Sequence, residues 1–319
     1  MKLGILGTAE IAFRRFLPAL AQCPELEYGG VASRTPEKGE KFRQAFGGKV
    51  YASYDDLLAD PEIQAVYVPL PPALHYAWGR KVLLAGKHLL LEKPFTVSPR
   101  ETAELLALAE EKGLAVHENY MFLYHSQLAR IRELAESGAL GELRLVRASF
   151  GFPFRGTADF RYDPALGGGA LLDCGGYPLR LASQILGPTA RVTWARLNRG
   201  RDLNVDLYGS ATLENDQQVT AQIAFGMDNS YQCALELWGS QGRLTAPRIF
   251  TAPAGFPITL QLETRQGTEE ICLPADDSFL HSITKFTDLI RQPGLRAEHA
   301  AAIQRQADLT AQIRGEKTL

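Results

Sequence analysis

Apolar residues arrive along the first third of the chain in short, nearly unbroken runs separated by amphipathic stretches. The runs are KLGIL, LEYGGVA, AVYVP, HLLLE and AVHEN, and residues 10–22, 36–45, 72–85 and 98–112 carry helical periodicity between them. A strand without polar alternation is covered on both faces, as in a parallel sheet flanked by helices, so this rhythm predicts an α/β Rossmann domain. Gly86 and Gly113 stand where left-handed helix C-caps belong, and Pro18 within the first helical stretch predicts a kink.

The pattern changes near residue 122. A helical stretch at 123–137, closed by Gly138, leads into the long strand-like run LRLVRASFGF. Period-2 alternation then dominates 190–198, 204–213, 218–226, 230–238, 242–246 and 257–263, with turn residues between. This predicts an α+β domain with a large, mostly antiparallel, open-faced sheet. Helical stretches at 278–291 and 296–314 close the chain. The organisation is therefore read as a dinucleotide-binding domain at 1–121 and a substrate-binding and dimerisation domain at 122–319. A sheet with helices on one side leaves its other face open, so a homodimer or homotetramer through that sheet is expected.

Charge narrows the function classes. A formal net charge of −2 with dispersed basic residues offers no stripe for a phosphate backbone, so nucleic acid is not an expected partner. The apolar run in MKLGILGTAEIAFRR is too short for a signal-peptide core and no stretch is long enough to span a bilayer, so a cytoplasmic protein without a membrane partner is expected. Cys23, Cys174, Cys233 and Cys272 show no CxxC or disulfide spacing, and the six histidines form no HxxxH pair. Reduced thiols and chemistry without a metal follow.

Candidate chemistry starts at KLGILGTAEIA, which reads as strand, tight turn and helix start, with Gly7, Ala9 and Ala12 at the positions of G-x-G-x-x-G/A. Gly7, Thr8, Ala9, Glu10 and Ile11 would cradle a pyrophosphate at the helix N-terminus. Ala9 departs from the pattern by one methyl. The second strand ends at Ser33-Arg34-Thr35, where NAD-specific folds place an acid; a guanidinium here, with Lys38 one turn on, favours NADP over NAD. VPLPPALH puts Pro69, Leu70 and His75 at the next strand end, as a rigid wall and as either a helix-packing or a cofactor-contacting histidine.

HLLLEKPF brings Glu92-Lys93-Pro94 to the same edge, where an ammonium can acidify a neighbouring hydroxyl or stabilise charge developing on a carbonyl oxygen. Asn119 ends the following run and is a further cofactor-binding candidate. In LGGGALLDCGGYPLR, Asp173 and Tyr177 are four residues apart and share a face if the segment is helical, although Gly175, Gly176 and Pro178 make that helix irregular.

With EKP and GGGALLDCGGY together, the chain resembles the glucose–fructose oxidoreductase, inositol dehydrogenase and MocA (GFO/IDH/MocA) family over essentially its whole length. GTAEIAFRRFLPAL, VASRT, AVYVPLPPALH, ENYMFLYHSQ and LWGSQGRLTAPRIFTAP extend the likeness toward sugar-nucleotide 3-ketoreductases of deoxysugar biosynthesis. The resemblance implies that Lys93 and Tyr177 sit at the nicotinamide, with Asp173 as acidic partner. It implies an NADP(H)-dependent reduction of a sugar ketone in which Tyr177 gives the proton. Ser126 stands where the family commonly has the proline of HPQ, which bears on substrate contacts. Tyr120, Phe122, Arg161 and Arg248 are candidates for the far wall of the substrate pocket, the arginines for diphosphate contacts. Dihydrodiol, anhydrofructose or polyol conversion by the same residues is an alternative, as is an NADP-binding regulator without activity; the presence of both Lys93 and Tyr177 argues against the regulator.

Overall fold

The computed structural model describes residues 1–200 and 203–316. It divides into one unit formed by Met1–Met121 with Phe279–Ala307, and another formed by Phe122–Ser278 with the chain from Asp308 on.

In the first unit, β1 (Lys2–Leu6), β2 (Glu27–Ala32), β3 (Lys49–Tyr51), β4 (Ile63–Val68), β5 (His88–Leu91) and β6 (Val116–Glu118) form a parallel sheet in the order β3-β2-β1-β4-β5-β6. All the strands run the same way, and the order in which the chain adds them reverses between β1 and β4, the place where such sheets bind ligands at the strands' carboxyl ends. The helices are α1 (Leu17–Leu20), α2 (Pro36–Phe46), α3 (Tyr54–Ala59), α4 (His75–Leu84) and α5 (Pro99–Glu111). The short β3 and α3 lie outside the elements expected from periodicity; α3 begins at Ser53, whose Oγ accepts the Asp56 N–H at 3.0 Å. The irregularity expected at Pro18 takes the form of a π turn at Ala12–Phe16, just before α1. A proline has no N–H for the carbonyl four residues back and crowds it, so the helix widens there.

In the second unit, β7 (Leu143–Gly151), β8 (Arg191–Arg199), β9 (Asp206–Glu214), β10 (Thr220–Gly226), β11 (Gln232–Gly239), β12 (Gly242–Ala246), β13 (Ile258–Thr264) and β14 (Gly267–Leu273) order as β14-β13-β12-β11-β7-β10-β9-β8. The β7–β10 pair is parallel and the others are antiparallel. Alternation sends Val146, Ala148, Phe150, Leu213, Ile223 and Leu235 to the buried face, against which α7 (Gly176–Leu186) packs after α6 (Ser126–Glu136). On the opposite register Tyr208, Trp238 and Trp194 of β8 stay about half exposed.

The chain closes with α8 (Ser278–Arg291) and α9 (Arg296–Arg314). Their assignment corrects the expected boundary of 122–319, because Phe279–Ala307 belongs to the first unit. Ile283, Phe286 and Leu289 recur every three residues along α8, are wholly buried, and join Leu3, Ile5, Phe16 and Tyr67 in one cluster. That face of the parallel sheet needs a cover, and the cover comes from the far end of the chain. Among the described residues, no helix is long and apolar enough to cross a membrane, and no group of three or more His, Cys, Asp and Glu could hold a metal ion. Cys23, Cys174 and Cys233 are buried thiols and Cys272 an exposed one.

Candidate active site

The carboxyl edge of the parallel sheet is built around the turn after β1. Gly7 has φ +95°, its N–H donates to Ala32 O at 2.8 Å, and a Cβ on it would come within 2.8 Å of the Leu70 side chain. Glycine is therefore required by both the backbone and the space. The helix that follows makes its first recorded capture with the Ala12 N–H on Ala9 O at 3.0 Å, so the amides of Ala9, Glu10 and Ile11 precede its internal hydrogen bonding. Beside this turn, Arg34 is exposed and its cation acts on the Tyr54 hydroxyl, which lies 3.5 Å from where a Gly7 Cβ would stand. Burial raises the Tyr54 pKa, and the Arg34 cation opposes that shift. Thr35 and Lys38 are exposed on the first turn of α2, whereas Ser33 is buried and accepts the Thr35 N–H on Oγ at 3.1 Å. Amides at a helix start and a guanidinium at the end of the neighbouring strand suit a pyrophosphate and a ribose phosphate.

Lys93 follows β5 on a segment clamped at every residue. Glu92 Oε1 accepts from Tyr67 Oη at 2.6 Å and from Asn119 Nδ2 at 2.7 Å. The Lys93–Pro94 peptide is cis; Pro94 O lies 2.7 Å from His75 Nδ1, and Glu118 Oε1 accepts the Phe95 N–H at 2.8 Å. His75 Nε2 lies 2.7 Å from Leu70 O, so this ring ties the loop after β4 to the loop after β5. Burial pushes the His75 pKa down to about 4 and the two carbonyl acceptors pull against it; a neutral ring carries one N–H and so donates to only one of them. Lys93 itself is partly exposed at the strand end.

In the second unit, the glycine-rich segment forms a π turn at Leu171–Gly175 that runs directly into α7. The space around it is filled to the backbone. A Cβ at Gly169, where φ is +125°, would collide with Asp206 Oδ1; one at Gly168 would collide with Arg161 O; one at Gly175 would come within 2.9 Å of the Phe225 ring. Asp206 Oδ2 accepts the Leu171 N–H at 2.7 Å and so caps the turn. Its carboxyl pKa is raised by burial. Asp173 Oδ2 accepts from Arg161 Nε at 2.8 Å, and Arg161 Nη1 also reaches both oxygens of Asp159, at 3.1 and 3.2 Å. The Tyr177 ring is seated among Phe150, Phe122 and Phe250, with centroids 5.0, 5.7 and 5.9 Å away.

Several expected contacts change character in the structure. Of the two readings of His75, the packing one fits the fully buried ring, whose nitrogens lie 2.7 Å from Pro94 O and Leu70 O. Tyr120 and Phe122 are each 1% exposed, and Phe122 backs the Tyr177 ring, so they are packing residues where pocket-wall residues were expected. Asn119 is 2% exposed and its amide donates to Glu92, so its side chain supports the strand end. Arg161 is paired with both Asp159 and Asp173, so two carboxylates already meet its charge. Arg248 is exposed, about 6.0 Å from the ring centroids of Tyr231 and Phe256. Ser126, in place of proline, uses the N–H that a proline would lack, donating to Asp276 Oδ2 at 2.8 Å. Tyr54 and Asp206 gave no sequence signal: one starts the short helix α3, the other starts β9, and neither belongs to a motif.

The first 120 residues match the family model described as oxidoreductase family, NAD-binding Rossmann fold, and residues 128–245 match the GFO/IDH/MocA C-terminal domain. Among curated proteins, the chain is 44% identical over 323 residues to a dTDP-3,4-didehydro-2,6-dideoxy-alpha-D-glucose 3-reductase from Streptomyces violaceoruber, covering 98% of this chain and 94% of that one. It is 40% identical to the protein of the same name from Saccharopolyspora spinosa, over 98% of this chain and 96% of that one. The crystal structure of a 3-ketoreductase from Actinomadura kijaniata, in complex with NADP and TDP-benzene, superposes with a TM-score of 0.96 at 40% identity, covering 99% of this chain and 97% of that one. Two matched domains in series and identity sustained from end to end establish that the chain belongs to the GFO/IDH/MocA family of oxidoreductases.

Proposed function

We propose that the protein is an NADPH-dependent reductase of a ketone on a nucleotide-linked sugar, a 3-keto sugar by preference, with Tyr177 as proton donor and Lys93 assisting. The observation that carries this reading is the 44% identity with a dTDP-sugar 3-reductase over 98% of the chain, which spans both Lys93 and Tyr177. The dinucleotide would lie on the Gly7–Ile11 turn, its 2′-phosphate against Arg34 with Ser33, Thr35 and Lys38 around it, and Pro69, Leu70 and the Glu92–Pro94 segment as the wall. When bound, NADPH supplies the hydride for the ketone carbon.

The chain's own residues handle the proton and the charge. A phenol with a reference pKa of about 10 is protonated at neutral pH, so Tyr177 Oη has a proton to give to the carbonyl oxygen. The ammonium of Lys93 would favour that transfer by stabilising negative charge on either oxygen. Asp173, already paired with Arg161, would orient a sugar hydroxyl or the lysine. The domain assignment follows suit, with the nucleotide on the first unit and the sugar on the second.

Tyr177→Phe and Lys93→Met test the assignment with a dTDP-linked 3-keto sugar and NADPH. Each should lower turnover by roughly 10²–10⁴-fold while NADPH affinity, read by fluorescence, stays within about threefold. Near-normal turnover in either variant removes that residue from the chemistry. The half-exposed Trp194, Tyr208 and Trp238 also support a homo-oligomer closed across the outer sheet face. Light scattering that returns a monomer mass at micromolar concentration would discard it.

A further inference from the structure

Behind Glu92 runs a line of side chains that the proposed chemistry does not use. Asn119 donates to Glu92 Oε1 at 2.7 Å, Ser282 Oγ donates to Asn119 Oδ1 at 2.8 Å, His117 Nε2 lies 2.8 Å from Ser282 Oγ, and His299 Nε2 lies 3.1 Å from His117 Nδ1. All belong to the first unit. His117, Ser282 and Asn119 are 0, 1 and 2% exposed, and the two imidazoles stack with centroids 5.1 Å apart.

The proton positions follow one from another. A carboxylate accepts, so the Asn119 amide must point its NH₂ at Glu92 and its oxygen at Ser282. The single Ser282 proton is then spent, and toward His117 the hydroxyl can only accept. His117 must therefore carry a proton on Nε2, and in the neutral ring Nδ1 is then a lone pair that takes the His299 Nε2–H. Four donors thus point the same way along the line and end on one oxygen, which Tyr67 also serves at 2.6 Å. A chain of this polarity stabilises an anion at its end, and each link polarises the next.

We infer that Ser282, His117 and His299 are positioning residues for Lys93: through Asn119 they fix the Glu92 carboxylate, and with it the strand end from which Lys93 projects. The inference rests on the proposed role of Lys93, and it gives α8 and α9 a second task besides covering the sheet. Lys93 directly follows the residue on which the line ends, so slack in the line becomes displacement of the ammonium, and reaction rates are steep in such displacement.

Two arms of the test need no substrate. In the unliganded protein, long-range ¹⁵N NMR should show His117 as the Nε2–H tautomer, and Ser282→Ala should raise amide exchange across residues 92–96 by roughly tenfold, the value of one lost hydrogen bond, without changing exchange in β1. In the third arm, Ser282→Ala and His117→Leu should each lower kcat about tenfold with the KM for NADPH unchanged. His117→Gln, which keeps an N–H where Nε2 stood, should recover most of that loss. An Nδ1–H tautomer, unchanged exchange at 92–96, or equal behaviour of His117→Leu and His117→Gln overturns the inference. A wild-type protein that turns over no dTDP-linked keto sugar overturns the proposed function instead, and the first two arms still decide this one.

Discussion

The strand end that carries Lys93 and the glycine-rich turn that carries Tyr177 are held by different physics. Around Lys93, backbone and side chains are fixed by directed hydrogen bonds: Glu92 to Tyr67 and Asn119, Pro94 O to His75, Phe95 N–H to Glu118. Around Tyr177, the turn is fixed by the absence of side chains at Gly168, Gly169 and Gly175, each backed by an atom that a Cβ would strike. Hydrogen bonds at the first site tolerate substitutions that keep a donor or acceptor; close packing at the second tolerates almost nothing larger than hydrogen. The lesson is that equally ordered sites can differ in which kind of change disables them.

The largest expected effect tests the packed site. Gly169→Val adds a branched side chain at φ +125° and drives it into Asp206, so stability should fall by about 3 kcal/mol, measured as a lowered urea midpoint. A midpoint within error of wild type would mean that the turn has slack and that the contrast between the sites is false.

A smaller effect is expected at the hydrogen-bonded edge. Arg34→Ala removes one charged partner and leaves the fold intact, so NADPH affinity should weaken roughly 10- to 100-fold and NADH affinity by far less. Equal loss for both nucleotides would assign Arg34 to supporting Tyr54 instead of reading a phosphate.

The smallest effect is a pH dependence. Burial raises the Asp206 pKa in the folded state above its value in the unfolded chain. The folded protein then holds the proton more tightly, so stability is lost as pH rises from the ordinary aspartate value, about 4, through the raised one, and stays lost above it. Asp206→Asn has no such step. Its thermal midpoint should gain on the wild type as pH increases through that window, and parallel curves for the two proteins would remove the buried carboxylate from the account.

Much of this was legible in the residue pattern. Unbroken runs such as HLLLE read as strands covered on both faces, and β1, β2, β4, β5 and β6 lie there. Alternation across 204–213 and 218–226 marks β9 and β10. Residues 267–273 escaped because their burial does not alternate: β14 is an edge strand exposed along most of its length. For the candidate site, Gly7, Arg34, Lys93, Asp173 and Tyr177 could be proposed because each chemical type stands at a strand end or in a glycine-rich turn. The roles of His75, Asn119, Tyr120 and Phe122 could not, since a polar or aromatic residue near a site looks the same in sequence whether it faces the ligand or props the residue that does.

By itself the sequence determined two kinds of sheet, the turn that only glycine can make at residue 7, and the chemical types offered at each strand end, because these depend on neighbours a few residues apart. Tertiary structure alone decided that residues 279–307 complete the first unit, that Arg161 spends its charge on Asp159 and Asp173, and that His299 lies in line with Glu92. Those facts join residues far apart along the chain, and no local spacing records which buried face a distant helix will cover or which acceptor a donor will meet.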